Sequence, residues 1–192
     1  NSGISGGAVS NAIRDDPRQR GLLYASTDTQ VWVSFDDGEH WQSLRNNMPA
    51  ISVRDLQVKD DSSCFCSDLV AGTHGRGFWI LDNVTPLRQV AAVRAAEAAG
   101  AAYLVKPAVA VRVRFGTNDP TPWPPEVPGG QNPPPGAILD YYLSAGVSGP
   151  VTMEILDASG KIVRHYSSAD PVLSPDPAID PDGYDQLCRK RP

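Results

Sequence analysis

Two neighbouring carboxylates, Asp36 and Asp37, lie within the run Ser-Phe-Asp-Asp-Gly-Glu-His-Trp at residues 34–41. Such a pair could bind calcium or a polar substrate. The same spacing also suits a tight β-hairpin, and this is the interpretation we favour. The carboxylate of Asp36 can accept backbone N–H bonds within its own turn, and Gly38 supplies a left-handed backbone position. Trp41 then opens the return strand and offers a large apolar ring to a neighbouring sheet.

Catalytic carboxylates are harder to assign. A glycosidase needs two carboxyl groups that face each other across a cleft, roughly 5 to 10 Å apart. The acidic candidates are Asp28, Asp36, Asp37, Glu39, Asp55 and Asp82. An arginine cluster against a sugar carboxylate would draw on Arg54, Arg76 and Arg88, but the tyrosine–glutamate pair that accompanies such a cluster is not recognisable. A triad of Ser26, His74 and Asp28 lacks a nucleophile-elbow context. We therefore predict no catalytic residue in this chain.

The turn His-Gly-Arg-Gly at residues 74–77 is the best local candidate for a binding site. Its two glycines let the backbone approach a partner closely, and the Arg76 guanidinium can form a fork with a carboxylate. The candidate binding residues are His74, Arg76 and Trp79. The alternative is a structural turn in which Arg76 pairs with Asp82 or Asp55.

The spacing of cysteine, histidine and acidic residues gives little indication of a metal-binding site. Cys64 and Cys66 form a Cys-x-Cys half-site without a second pair or histidine partners, and Cys188 is far away in sequence. The loop around Gly183 lacks the alternating acids and the distal glutamate of a calcium-binding loop. We predict no metal site and no cofactor.

Composition excludes several function classes. The chain has 192 residues, a net charge of −5, and 18 prolines and 17 glycines, which favour turns over helix. An acidic balance does not suit nucleic acid, and no apolar run approaches the length of a membrane span. We predict neither a nucleic-acid partner nor membrane insertion. Because the chain begins at Asn1 rather than Met, we expect a fragment or a processed piece.

Short predicted strands separated by turn-forming residues make up most of residues 1–84. The predicted strands cover residues 8–14, 22–26, 30–34 and 41–44, and then 53–59, 69–73 and 78–81. Four antiparallel strands in about forty residues are typical of one β-propeller blade, and the second set is a blade without its fourth strand. Since a propeller needs roughly four to eight blades, two cannot close a ring.

The remaining chain changes character three times. A linking helix is predicted at residues 85–101, with a proline at its start and Gly100 as its stop. An immunoglobulin-like β-sandwich is predicted at residues 102–168, with strands at 102–115, 137–144, 151–156 and 161–166 and a proline-rich loop at 118–135. Residues 169–192 are predicted to be an irregular tail.

The hairpin run has the form Ser-x-Asp-x-Gly-x-x-Trp, the Asp-box signature, with its defining residues Ser34, Asp36, Gly38 and Trp41. Together with residues 72–89 and the later segments 137–143 and 149–157, it resembles bacterial BNR-repeat proteins of the sortilin-like β-propeller family, often labelled glycosyl hydrolases. Two departures are the insertion at residues 62–67 and the ending at 182–192.

This resemblance implies an all-β chain: a partial Asp-box propeller of about two blades, followed by an immunoglobulin-like β-sandwich. It also implies a longer parent, whose missing blades would be partners of this piece, and a secreted or cell-envelope location. The expected function is a non-catalytic scaffold that binds a protein or a glycan. The alternative is part of a sialidase- or xyloglucanase-like glycoside hydrolase whose catalytic carboxylates lie outside this chain.

Overall fold

The computed structural model of the chain describes residues 2–4, 6–63, 66–110 and 136–171. These belong to two compact units, residues 1–144 and 145–192. The described residues form mostly antiparallel strands and one short α-helix, so the all-β prediction is confirmed at that level.

Seven strands of the first unit form two meandering sheets. The four-stranded sheet has the order β1-β2-β3-β4, with β1 at Ser10–Asp15, β2 at Leu23–Thr27, β3 at Val31–Ser34 and β4 at Trp41–Ser43. The three-stranded sheet has the order β5-β6-β7, with β5 at Val53–Asp61, β6 at Cys66–Thr73 and β7 at Phe78–Leu81. Every strand pairs antiparallel with its neighbour in sequence, at positions close to those that the sequence predicts.

The principal core joins one face of each sheet. Tyr24 and Val33 are directly opposite each other across β2 and β3, and both belong to this core. Leu56, Leu69 and Ala71 contribute from β5 and β6. Successive side chains along a strand point to opposite faces, so β6 and β7 give alternate residues to the core. In β5 a bulge between Val53 and Asp55 separates the core residues Val53 and Leu56 by three positions. In β7, Phe78 and Ile80 are exposed, whereas Trp79 and Leu81 pack against the core.

The opposite face of the four-stranded sheet carries a second apolar cluster. Ala25, Trp32 and Trp41 are buried there, and Ile4 packs against them. The N-terminal segment also pairs with the edge of β4, since Ser2 N donates to Glu39 O and Trp41 N donates to Ser2 O, each at 2.8 Å. The four-stranded sheet is therefore covered on both faces, which explains why Val-Trp-Val in β3 reads as a continuous apolar run.

Gly3 permits this close approach. Its backbone has φ of 109°, and a Cβ at this position would lie 2.0 Å from the carbonyl oxygen of Trp41. No other residue type fits both the left-handed backbone and the space that remains.

A buried ion pair connects the β1–β2 turn with the segment after β7. The Asp16 side chain has no exposed surface, and both of its oxygens lie 3.0 Å from Nε of Arg88, 72 residues later. The Asp16 carboxylate also accepts the backbone N–H groups of Arg18 and Gln19, and the hydroxyl of Tyr24. Burial is the main cause that raises the pKa of Tyr24.

Asp60 extends this network into the second sheet. Its Oδ2 accepts from Arg18 Nε at 2.6 Å, its Oδ1 accepts from Ser67 Oγ, and Nη2 of Arg88 lies 3.5 Å from Oδ1. The hydrogen bond from Arg18 is the main cause that lowers the pKa of Asp60. The two sheets and the segment after β7 thus share one charge network.

The predicted helix is present as a 3-10 turn at Leu87–Gln89 followed by α1 at Val90–Ala98. Its residues are not fully buried. Leu87 packs against the principal core, and Arg88 binds Asp16. The guanidinium of Arg94 lies 5.3 Å from the ring centre of Phe35, and the amide of Gln89 bonds the backbone of Lys106.

The sandwich predicted for residues 102–168 finds limited support among the described residues. In the described residues 102–110 and 136–144, the paired strands are a two-residue ladder of β8 (Tyr103–Leu104) and β9 (Tyr141–Tyr142). The rest of the strand predicted at 102–115 lies outside the described residues. Pro107 lacks the N–H that a longer β8 would need, which is one reason for the short ladder. The second unit contains a hairpin of β10 (Thr152–Leu156) and β11 (Ile162–Ser167) around a turn at Asp157. The proline-rich loop at 118–135 and most of the tail predicted at 169–192 lie outside the described residues.

Arg88→Met tests the buried network. The variant leaves Asp16 buried without its counter-charge, so the free energy of unfolding should fall by about 3–5 kcal/mol. Urea unfolding followed by tryptophan fluorescence measures the change. The matched control is Arg14→Ala, which removes an exposed ion pair with Asp55 and should cost less than about 1 kcal/mol. If the two losses are equal, the buried pair has no special role.

Candidate functional site

The hairpin between β3 and β4 is fastened by the side chains of Ser34 and Asp36. Ser34 is fully buried, and its Oγ donates to Asp36 Oδ1 at 2.8 Å and accepts the N–H of Gly38 at 2.9 Å. Asp36 Oδ1 also accepts the backbone N–H of His40 at 2.9 Å, and Oδ2 lies 2.6 Å from His40 Nδ1. Both oxygens of the Asp36 carboxylate therefore serve the turn.

The hydrogen bonds around Asp36 favour its ionised form. The backbone hydrogen bond from His40, followed by that from the His40 ring, lowers the pKa of Asp36 from its ordinary 3.8 to about 2. The neighbouring Asp37 is exposed at φ of 60° and uses its backbone N–H to bond Gly21 O. No group of three metal-ligating side chains occurs in the part of the chain that the structure describes. Among the described residues, Asp36 and Asp37 therefore have no third His, Cys, Asp or Glu side chain grouped with them to bind calcium.

Trp41 lies on the face of its sheet that points away from the second sheet. Its neighbours are Ala25, Trp32 and the N-terminal Ile4, and it does not belong to the core that both sheets share. The suggestion that Trp41 offers its ring to a neighbouring sheet stays a prediction, and in the described residues the ring lies on this outer face. The reason is the alternation along β4 and its register with β3, in which Trp41 lies opposite Ser34.

The turn at residues 74–77 is closed by its own backbone. Thr73 donates to Gly77 O through both N and Oγ1, at 3.0 and 2.7 Å, and His74 N donates to Ser52 O. Gly75 and Gly77 both have positive φ, as the two glycines predict. The side chains of His74 and Arg76 are exposed, and Asp55 pairs with Arg14 rather than with Arg76.

A groove opens between β7 and the segment that follows β4. Trp79, Ile80 and Leu81 line one side, and residues 44–48 line the other, with Val31, Leu69 and Ala71 beneath. Arg45, Asn46 and Asn47 are exposed at its rim, where the turn is closed by the bond from Met48 N to Arg45 O. Of the three candidate binding residues, only Trp79 lines this groove.

Sequence reasoning missed the rim of the groove. The tripeptide Arg45-Asn46-Asn47 carries a turn signal, and Asn46 adopts φ of 46°, but nothing local to it indicates that it faces β7.

His40 was missed as well. Its position four residues after Asp36 is the signal that could have identified it.

Asp82 is an exposed catalytic candidate with a second carboxyl group, that of Asp68, nearby. It follows β7 and lies next to the end of the ladder, across from Asp68, whose Oδ1 accepts Asn83 N. Burial is the first cause, and the charge of Asp68 the second, that raises the pKa of Asp82. Asp55 is bound to Arg14, and Asp28 Oδ1 accepts Val9 N.

The other catalytic hypotheses do not fit the geometry. Arg88 is held by Asp16 in the interior, whereas Arg54 and Arg76 are exposed, so the three arginines form no cluster. Ser26 is fully buried, and its hydroxyl has no hydrogen-bond partner in the described residues, so no substrate can reach it as a nucleophile. Cys64, Cys188 and Gly183 lie outside the described residues, and the side chain of Cys66 is not described.

Comparison of the chain with protein-family models, with curated proteins and with solved structures gave no match. Among the described residues, the helices are too short and too polar to cross a membrane.

Ser34→Ala tests the hairpin fastening. The variant leaves the N–H of Gly38 without its acceptor in a partly buried position, so the free energy of unfolding should fall by about 1–3 kcal/mol. Thermal and urea unfolding measure it. Ser43→Ala is the control in the same sheet, because the Ser43 hydroxyl bonds Gln30 at an exposed site. An equal effect of both variants would contradict the fastening role of Ser34.

Acid unfolding tests the environment of Asp36. Since its pKa is lower in the folded than in the unfolded chain, Asp36 stabilises the fold above pH 4, and this contribution is lost as the pH falls towards 2. The stability difference between the wild type and Asp36→Asn should therefore shrink between pH 4 and pH 2. Urea midpoints measured from pH 6 to pH 2 give this difference, and a constant value would show that the pKa of Asp36 is not lowered.

Proposed function

We propose that this chain is a non-catalytic piece of a sortilin-like BNR-repeat propeller and that it acts as a scaffold that binds a protein or a glycan. The observation that carries the proposal is the use of the Asp-box side chains. The side-chain oxygens of Ser34 and Asp36 form hydrogen bonds within the hairpin itself. This use suits a structural repeat rather than a catalytic centre.

The arrangement of the sheets supports a propeller origin. Two antiparallel meanders share a core through their faces, and β5 of the second sheet lies against β1 and β2 of the first. Blades of a propeller pack in the same way, with their first strands closest together. The second sheet has three strands, and its outer face exposes Phe78 and Ile80, as expected for a blade whose neighbours are missing.

The binding face that we propose is the groove beside β7. Trp79 offers an aromatic surface, and Arg45, Asn46 and Asn47 offer donors and acceptors at the rim. An aromatic ring with nearby amides and a guanidinium suits the apolar face and hydroxyl groups of a sugar, and it equally suits a peptide side chain. His74 and Arg76 remain candidate contacts at the turn that leads into β7. A secreted or cell-envelope location follows from the resemblance and is part of the proposal.

A glycoside hydrolase whose catalytic carboxylates lie on blades outside this chain is the second candidate. Hydrolysis of aryl glycosides by the complete parent protein would decide between the two candidates.

Trp79→Ala tests the groove as a binding face. An array of oligosaccharides and a library of extended decapeptides are the probes, and the 192-residue chain is the analyte. Loss of a central aromatic contact should weaken binding to the recognised probe by roughly tenfold or more.

The control is Tyr166→Ala, which removes an exposed aromatic residue in the second unit. Binding of no probe by the wild-type chain, or equal binding by both variants, would contradict the proposed role of the groove.

A further inference from the structure

β7 ends the three-stranded sheet with an open edge. None of the described residues pairs with the side of β7 that points away from β6. Phe78 is 79% exposed and Ile80 57% exposed. The strand itself carries no proline, lysine or bulge, which are the features that commonly protect an edge from pairing with another strand.

The ladder determines which backbone groups are free. Thr73 N donates to Gly77 O, so this pair is hydrogen-bonded. In an antiparallel ladder bonded and non-bonded pairs alternate, so the N–H and C=O groups of Trp79 and Leu81 point to β6. Those of Phe78 and Ile80 point to the open edge, where another strand could bond them.

Opposite charges flank the edge. Arg76 precedes β7 and Asp82 follows it. Among the described residues, neither side chain takes part in an ion pair, and Asp82 lies across the ladder from Asp68 rather than from a cation. A strand that carries an acid opposite Arg76 and a base opposite Asp82 would complement both charges.

We propose that β7 is a self-complementary docking edge that pairs antiparallel with β7 of a second copy of this chain. In the matching register Phe78 lies opposite Ile80 of the other copy, and Trp79 lies opposite its own equivalent on the two-fold axis. The same register brings the turn that carries Arg76 in each copy towards the end of β7 in the other copy, where Asp82 follows the strand.

This register satisfies two independent conditions. The residues that would exchange hydrogen bonds, Phe78 and Ile80, are the residues whose backbone groups point outwards. The charge order along the edge, positive before the strand and negative after it, becomes complementary when the strand is turned end to end. A two-fold axis repeats each contact, so every interaction counts twice. A second copy therefore meets the charge requirement without any other protein, and the inference stands apart from the proposed scaffold function.

Sedimentation velocity of the 192-residue chain, from about 1 μM to about 1 mM, tests the proposal. The wild type should pass from monomer to dimer within this range. Arg76→Glu should weaken the dimer at least about tenfold, because like charges then face each other at both ends. The double variant Arg76→Glu/Asp82→Arg reverses both charges and should restore the dimer to within about threefold of the wild type.

Arg20→Glu is the matched control, because it makes the same charge change at an exposed site in the β1–β2 connection. It should leave the dimer unchanged. A monomer at all concentrations would overturn the proposal, and so would a failure of the double variant to restore the dimer or an equal effect of Arg20→Glu. A monomer that still binds an oligosaccharide or a peptide through Trp79 would overturn this inference while leaving the proposed function intact.

Discussion

The buried contact between Asp16 and Arg88 is the constraint on which the first unit depends. A carboxylate without exposed surface is tolerable only with a counter-charge and further donors, and Asp16 has both. Its partner, Arg88, comes from the segment after β7. If this segment moved away from the sheets, Asp16 would be left buried without a counter-charge. Through Asp60 the same network reaches the second sheet. Charge, as well as apolar burial, therefore fixes how the two sheets meet.

The two sheets differ in how completely they are covered, and this difference bears on function. The first sheet has an apolar cluster on each face, and Ser2 pairs with the edge of β4. The second sheet has one buried face, an exposed face with Phe78 and Ile80, and an open edge at β7. Because apolar surface and free backbone groups favour association, the second of these two sheets is the better suited to bind another molecule, at β7.

The turns at 34–41 and 74–77 differ in how they use their side chains. The turn at 34–41 uses Ser34, Asp36 and His40 to stabilise itself, which leaves few polar atoms for a ligand. The turn at 74–77 is closed by backbone bonds and leaves its side chains exposed. A turn of the second kind is better suited to recognition, because its side chains are not needed for the fold.

The sequence by itself determined the strands at residues 8–81, the helix after them and the hairpin at 34–41, because alternation, turn residues and caps act between residues close in the chain. It did not determine the Asp16–Arg88 pair, the contact of Trp41 with Ile4 or the groove beside Trp79. Those features join residues that are far apart in the chain, and no local sequence pattern predicts which distant residues will be in contact. Only the packing of one sheet against the other, and of the N-terminal segment on β4, decided them.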